Sequence, residues 1–273
     1  MRKITDISTL PEVAIRIMKV ANDPGSGAVD LLGVVETDVP LSSRILRTVN
    51  SACFGLKVEV SNLRQAIGYL GCKQVRNLAM TGSVGRIFRQ DLKVGNYRRI
   101  DLWRHLVSVA VCSKMIARRL RISDFDEAFL AGLLHDMGII LIDQYQNDHF
   151  VKVIQKIKEG TRLTTTERSI LGFDHTTLGA AVAERWRFPP LMSAVMRHHH
   201  RPEGYTGEHR HILDCVAVAN FVCSLQGITS VGCNLVQLPR ASFENLHLHK
   251  DDLLVLAEDL ESELAGHKEL FRL

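Results

Sequence analysis

A histidine followed directly by an aspartate, His135-Asp136, stands in the heptapeptide GLLHDMG (residues 132–138), which ends an apolar stretch. A neutral imidazole and a carboxylate are donors suited to Fe, Mn or Zn, and as neighbours they could hold one divalent ion or bridge two. Alone the dipeptide says little, because a helix cap or a hydrogen-bonded core pair uses the same residues. The remaining histidines weigh more. His105 follows Asp101 by four residues, so on a helix the two share a face. By itself that pair reads as a surface carboxylate beside a half-buried imidazole. His175 heads the run HTTLGAAVAERW, where its ring could turn back into a shared cleft. His198, His199 and His200 close an apolar helical segment; histidines there suit the helix dipole, but three in a row beside other candidate donors point to metal ligation. Asp214 and Asn220 are polar candidates in a further apolar segment.

Positioning these residues requires helices, and apolar spacing supplies them throughout. Thr9 to Glu12 has a capping-box spacing with Pro11 at a first-turn position, opening a helix to about Ala21. Further helices are expected over 29–37, from Pro40 to about Ala52, over 61–70 ending at Gly71, and over 72–88. These five form one compact lobe without a catalytic constellation. The polar segment 89–99, with Gly95-Asn96, marks the lobe boundary.

The next helix spans 101–120. Asp124 to Glu127 reads as a second capping box, opening the helix that carries HDMG, with Gly132 allowing close packing and Gly138 as terminator. Helices over 150–158, over 164–172 capped by Thr164 and Glu167, from His175, from Pro190 to His200 and over 211–225 complete the second lobe. A loop over 227–240 precedes one acidic amphipathic helix from about Ala241 to Leu264, which most simply packs on the body. Strand signals are nearly absent, Leu56 to Val60 being the best. The expected fold is all-α, divided as 1–95, 96–227 and 228–273.

At 273 residues, with 46% hydrophobic and 23% charged residues, the chain can bury a large core. No apolar run reaches membrane-span length, and MRKITDIST lacks a signal-peptide core, so a cytosolic, membrane-free protein is expected. Six scattered cysteines, among them Cys53, form no CxxC pair, which argues against disulfides and thiolate zinc. Residues 1–100 hold 15 Lys/Arg against 8 Asp/Glu, net +7, whereas residues 241–273 hold 3 against 8, net −5. The basic residues are spread without interleaved aromatics, so nucleic acid is not the expected partner. No glycine-rich phosphate loop or nucleophile elbow occurs.

Several stretches taken together resemble the HDOD domain, a bacterial regulatory relative of the HD phosphohydrolase superfamily. They are LPEVAIRIMKVANDP from Leu10, LSSRILRTVNSACFG from Leu41, QAIGYLG from Gln65, LWRHLVSVAV from Leu102, FLAGLLHDMG from Phe129, ERSILGFDHTTLGAAVAERWRFP from Glu167 and HHHRPE from His198. The resemblance covers about residues 5–205 and implies a helical lobe leaning on an HD-type bundle. Set against the metal-dependent HD and HD-GYP relatives, it implies ligands at His105, His135, Asp136, His175, His199 and His200. Asp101 matches an extra carboxylate ligand of some HD-GYP proteins. Two positions depart. The relatives' final aspartate falls at Asn220, a weaker oxygen donor, and their HDIGK is HDMGI here, so Ile139 replaces the lysine that would help neutralise a phosphate.

The expectation is a signal-transduction protein with one or two divalent ions, Fe or Mn with Zn as the alternative, and weak or no hydrolase activity. Its partner would be a signalling protein or a small phosphorylated ligand, and it would act as a stand-alone regulator. The competing reading is a metal-dependent phosphohydrolase or phosphodiesterase acting on a nucleotide or cyclic dinucleotide, with Asp136 in the catalytic role. A third makes iron in the His-rich site a redox or oxygen sensor.

Overall fold

The computed structural model describes residues 10–23, 25–51, 54–158 and 160–273. Thr9, with the capping box expected there, and Cys53 lie outside the described residues. The chain is mostly helical, as the apolar spacing requires.

The first five helices are α1 (Glu12–Asn22), α2 (Ala28–Val35), α3 (Val39–Val49), α4 (Leu63–Leu70) and α5 (Cys72–Gly85). Short polar side chains start two of them. Asp38 accepts from the Leu41 amide at 3.0 Å to cap α3, and Asn62 accepts from the Gln65 amide at 2.9 Å to cap α4. Gly71, at φ 81°, turns α4 into α5. Helix α5 packs on α1, α2, α3 and α4 and, on its other side, on the helix that leads to His135. Leu56 to Val60 forms no strand. The small hairpin that does form, β1 (Lys93–Val94) with β2 (Tyr97–Arg98), sits at the polar 89–99 segment, and Gly95 at φ 56° makes its turn.

The site-bearing part comprises α6 (Arg99–Arg119), α7 (Phe125–Leu134), α8 (Met137–Tyr145), α9 (Asn147–Lys156), α10 (Leu163–Leu171), α11 (His175–Arg185), α12 (Pro190–His198) and α13 (Arg210–Leu225). Helices α6, α7 and α13 pack together, and α11 lies between α8 and α12. Gly132 allows the first of these contacts: a Cβ there would lie 2.8 Å from the Ala110 Cα on α6. Asp143 on α8 locks the base of the bundle. It receives Arg99 through Nε at 2.7 Å and Nη2 at 3.1 Å, and Tyr97 Oη at 2.9 Å.

Several local expectations are corrected by tertiary partners. Asp124 precedes α7 without a side-chain cap bond, and cations of α5 meet the acids there: Lys73 lies 3.6 Å from Asp124 and Arg76 lies 2.9 Å from Glu127. Thr164 lies within α10 rather than capping it, and Glu167 is drawn into the interior by His175. Gly138 is no terminator. It is the second residue of α8, where the His175 carbonyl oxygen would lie 2.0 Å from a Cβ. The acidic tail divides at His247 (φ 53°) into α14 (Arg240–Asn245) and α15 (Lys250–Gly266). Helix α15 packs on α6 and α13, and the end of the chain reaches α3, where Arg44 donates to the Arg272 carbonyl at 3.1 Å. Buried apolar residues from Leu10 to Leu270 form one continuous core. Among the described residues no helix is long and apolar enough to cross a membrane.

Candidate metal centre

The centre is built where helices stop. His135 ends α7 and Asp136 precedes α8, so the break between the two helices turns adjacent side chains inward together. His199 follows α12 in the same way, His175 is the first residue of α11, and His105 stands two turns into α6. All five of these side chains are buried, whereas His200 is half-buried.

Four rings are held by their Nδ1 atoms. His135 donates to the Gly132 carbonyl at 2.7 Å, and His199 to the Val195 and Met196 carbonyls at 3.1 Å each. The Val195 carbonyl also accepts from the His199 amide at 3.0 Å, closing the last turn of α12. His105 donates to the Ile228 carbonyl at 2.8 Å, in the loop after α13. His175 differs, because its Nδ1 donates to the Glu167 carboxylate at 2.7 Å. Carbonyls and carboxylates accept only, so the proton of each neutral ring sits on Nδ1 and a lone pair on Nε2.

Those lone pairs converge on the two oxygens of Asp136. Oδ2 lies 3.7 Å from His105 Nε2 and 3.4 Å from His135 Nε2. Oδ1 lies 3.3 Å from His175 Nε2 and 3.1 Å from His199 Nε2. His200 Nε2 adds a fifth donor 3.1 Å from His175 Nε2. Two groups result, His105/His135/Asp136 and Asp136/His175/His199/His200, each with its donor atoms within 4.8 Å of one another. The Nε2 atoms of His105, His135 and His199 and the Oδ1 atom of Asp136 have no hydrogen-bond donor. Buried lone pairs facing carboxylate lone pairs are unfavourable unless a cation lies between them, so the donor set fits divalent metal. Imidazole nitrogen with carboxylate oxygen and no thiolate suits a divalent first-row metal ion.

Proton equilibria follow the same geometry. Burial, aided by the neighbouring His135, pushes His105 down to about 4. Burial likewise lowers His199 and His200. For His175 burial is outweighed by the Glu167 and Asp136 carboxylates, which raise it well above the ordinary value. Burial opposes ionisation of Asp136, but His135, His175 and His199 hold it well below the carboxylate range.

Asp101, Asp214 and His198 lie outside these groups. Asp101 is half-buried on the first turn of α6, joins neither group, and acts on the Arg98 guanidinium. Asn220 is buried on α13 with neither side-chain polar atom partnered. Asp214 is fully used structurally, receiving Arg210, Ser242 and Asn245, the last two from α14. The His198 ring lies against Tyr205 instead of the cluster. Ile139 is fully buried in the core. Sequence reading missed Glu167, taken for a cap. Its only signal was an acid eight residues before a candidate histidine. It missed Ile228 entirely, because a backbone carbonyl leaves no mark in residue type.

Residues 7–202 match the HDOD domain family, and the chain belongs to that family. It is similar to the crystal structure of an HDOD domain protein of unknown function from Geobacter sulfurreducens, at 26% identity and TM-score 0.80, covering 98% of this chain and 94% of that one. A protein from Shewanella amazonensis SB2B provisionally named a phosphohydrolase shares the fold at 23% identity and TM-score 0.74, covering 99% and 95%. An uncharacterized protein of Treponema pallidum (strain Nichols) is 25% identical over 276 residues, which is 97% of this chain. The chain spans about half (51%) of that curated relative's length.

Proposed function

We propose that this chain is a regulatory, signal-transducing HDOD protein whose buried centre holds one or two divalent ions, Fe or Mn with Zn as the alternative, and which hydrolyses phosphoesters weakly or not at all. One observation carries the reading: each oxygen of Asp136 faces the Nε2 atoms of its own pair of imidazoles, every ring fixed by an anchored Nδ1. His105, His135, His175, His199 and His200 are the proposed nitrogen ligands and Asp136 the shared carboxylate; Asp101 joins neither group and is left out of the set, whereas Asn220, buried with both side-chain polar atoms unpartnered, is the further oxygen candidate. Against efficient turnover stand the apolar Ile139, where the resembled HD-GYP relatives carry lysine, and the neutral Asn220 in place of an aspartate.

When bound, a divalent ion would supply Lewis acidity and lower the pKa of a coordinated water. The chain's own residues do the rest. Gly132, Val195, Met196 and Ile228 carbonyls orient three rings, Glu167 orients the fourth, and the apolar surround excludes bulk water. The second reading, a phosphohydrolase, is favoured by one feature: His200 is half-buried and gives the centre a face toward solvent.

The test is the metal content of protein purified without oxygen and without chelator, followed by assays of phosphomonoesters and cyclic dinucleotides. We expect one or two equivalents of metal and negligible turnover. Rapid metal-dependent hydrolysis would replace the first reading with the second, and protein free of metal would remove both.

A further inference from the structure

We propose that the pocket beside His200 binds the terminal phosphoryl group of a small anionic ligand. The proposal rests on the metal-centre reading, because His200 forms part of the pocket wall, and it assigns that centre's ligand class.

The remaining wall comes from the start of α10, from Arg201 after α12, from the end of α13 and from the loop that follows it. Arg162, Arg201, Thr229 and Ser230 contribute guanidinium and hydroxyl donors, and Ser224 lines it from α13. Ser224 is buried (3% exposed), and its hydroxyl has no hydrogen-bond partner. A buried hydroxyl without a partner is costly, and a ligand oxygen would relieve it. The pocket lining contains no Asp or Glu. Neither guanidinium is paired with a carboxylate among the described residues; Arg162 is instead steadied by Gln237, which accepts from its Nε at 2.9 Å. Two unneutralised guanidinium groups, four hydroxyls (Thr164, Ser224, Thr229 and Ser230) and no carboxylate select an anion.

Size narrows the class. The cavity is about 30 Å³. At the roughly 10–15 Å³ that an ordered water requires, it takes two or three oxygen-sized atoms, so it admits oxygens of a phosphoryl terminus with the rest of the ligand left outside. Three larger cavities, of about 340, 480 and 550 Å³, each carry carboxylates in their walls: Asp23 and Glu127 in the first, Asp126 and Glu263 in the second and Glu261 in the third. They lack the single sign of charge. Position links the pocket to the closed part of the centre. Thr229 and Ser230 directly follow Ile228, whose carbonyl holds His105. An anion drawn to these hydroxyls therefore bears on the peptide that fixes a candidate metal ligand.

The experiment is calorimetric titration of inorganic phosphate and phenyl phosphate into the full chain, both metal-loaded and chelator-treated. Wild type is compared with Ser224→Ala and with the double variant Arg162→Glu/Arg201→Glu, and metal content is measured on every sample. We expect saturable binding by wild type, weakened about tenfold or more by the double variant and severalfold by Ser224→Ala, with metal content unchanged. Binding of inorganic phosphate alone would assign the free ion as ligand, and binding of both probes a monoester; either supports the pocket. No binding to wild type, or equal affinity in wild type and the double variant, would overturn it. The metal reading stands or falls separately on the metal content of wild type.

Discussion

The two sides of Asp136 are built differently. On the Oδ2 side, His105 and His135 are buried and held by backbone carbonyls of Ile228 and Gly132. On the Oδ1 side, His175 is held by a carboxylate, Glu167, and His200 reaches a pocket. A site with every donor enclosed suits a structural ion, whereas one with an open edge can exchange a ligand. A carboxylate behind an imidazole also makes it a stronger donor than a carbonyl does. The contrast teaches that one aspartate can serve a closed half and a responsive half of the same centre.

The largest expected effect comes from removing what the halves share. Asp136→Ala should abolish metal binding on both sides while circular dichroism still reports a helical protein. Retention of a full equivalent of metal would break the symmetry argument, because one side would then be independent of the carboxylate.

Separating the halves should have an intermediate effect. Glu167→Gln keeps a hydrogen-bonding side chain but removes the charge behind His175, and should weaken metal at the Oδ1 side by about 10–100-fold while sparing the Oδ2 side. His105→Ala should do the reverse. Competition with a graded chelator would read both, and identical titrations of the two variants would mean a single undivided site.

Packing sharpens the comparison further. Gly138 lies under the His175 carbonyl, where an added Cβ would lie 2.0 Å from that oxygen. Gly138→Ala should therefore cost about 1–3 kcal/mol or more and loosen the Oδ1 side. Gly68, exposed on α4 with nothing within 4 Å of an added Cβ, provides the contrast. There alanine should stabilise by up to about 1 kcal/mol. Thermal unfolding of both variants checks the pair.

The smallest expected effect is on acid sensitivity of chelator-treated protein. His105, held near 4 by burial, binds fewer protons folded than unfolded, where its ordinary value is about 6.5. Stability from this group is complete above about pH 6.5 and declines as pH falls toward 4. The lowered His199 and His200 act in the same direction. His175, raised by its carboxylates, acts oppositely: its contribution is present below its unfolded value and is lost as pH rises through the folded one. Denaturant midpoints between pH 7.5 and 4.5 should fall for wild type and fall less for His105→Gln. An equally steep fall in that variant would assign the loss to other groups.

Much of this architecture was legible residue by residue. Apolar spacing marked most of the helices, and Gly71 and the 89–99 segment were marked by turn chemistry. What misled was, in most cases, a tertiary partner that the local spacing does not show. Asp124 and Glu127 have the spacing of a cap, but Lys73 and Arg76 from another helix compete for them. Glu167 has a cap's spacing from Thr164, but the His175 ring claims it. Gly138 reads as a stop only when the residue pressing on it, thirty-seven positions away, is out of view.

By itself the sequence determined the helical class, the HDOD resemblance and an inventory of imidazoles and one adjacent carboxylate, because periodicity and motif are local properties of the chain. Tertiary structure alone decided that Asp136 has two differently furnished sides. That decision depends on which atom holds each Nδ1, and those atoms lie 3 residues away for His135, 8 for His175 and 123 for His105. Two of the three are backbone carbonyls, which every residue type carries alike, so only the folded chain can say which carbonyl meets which ring.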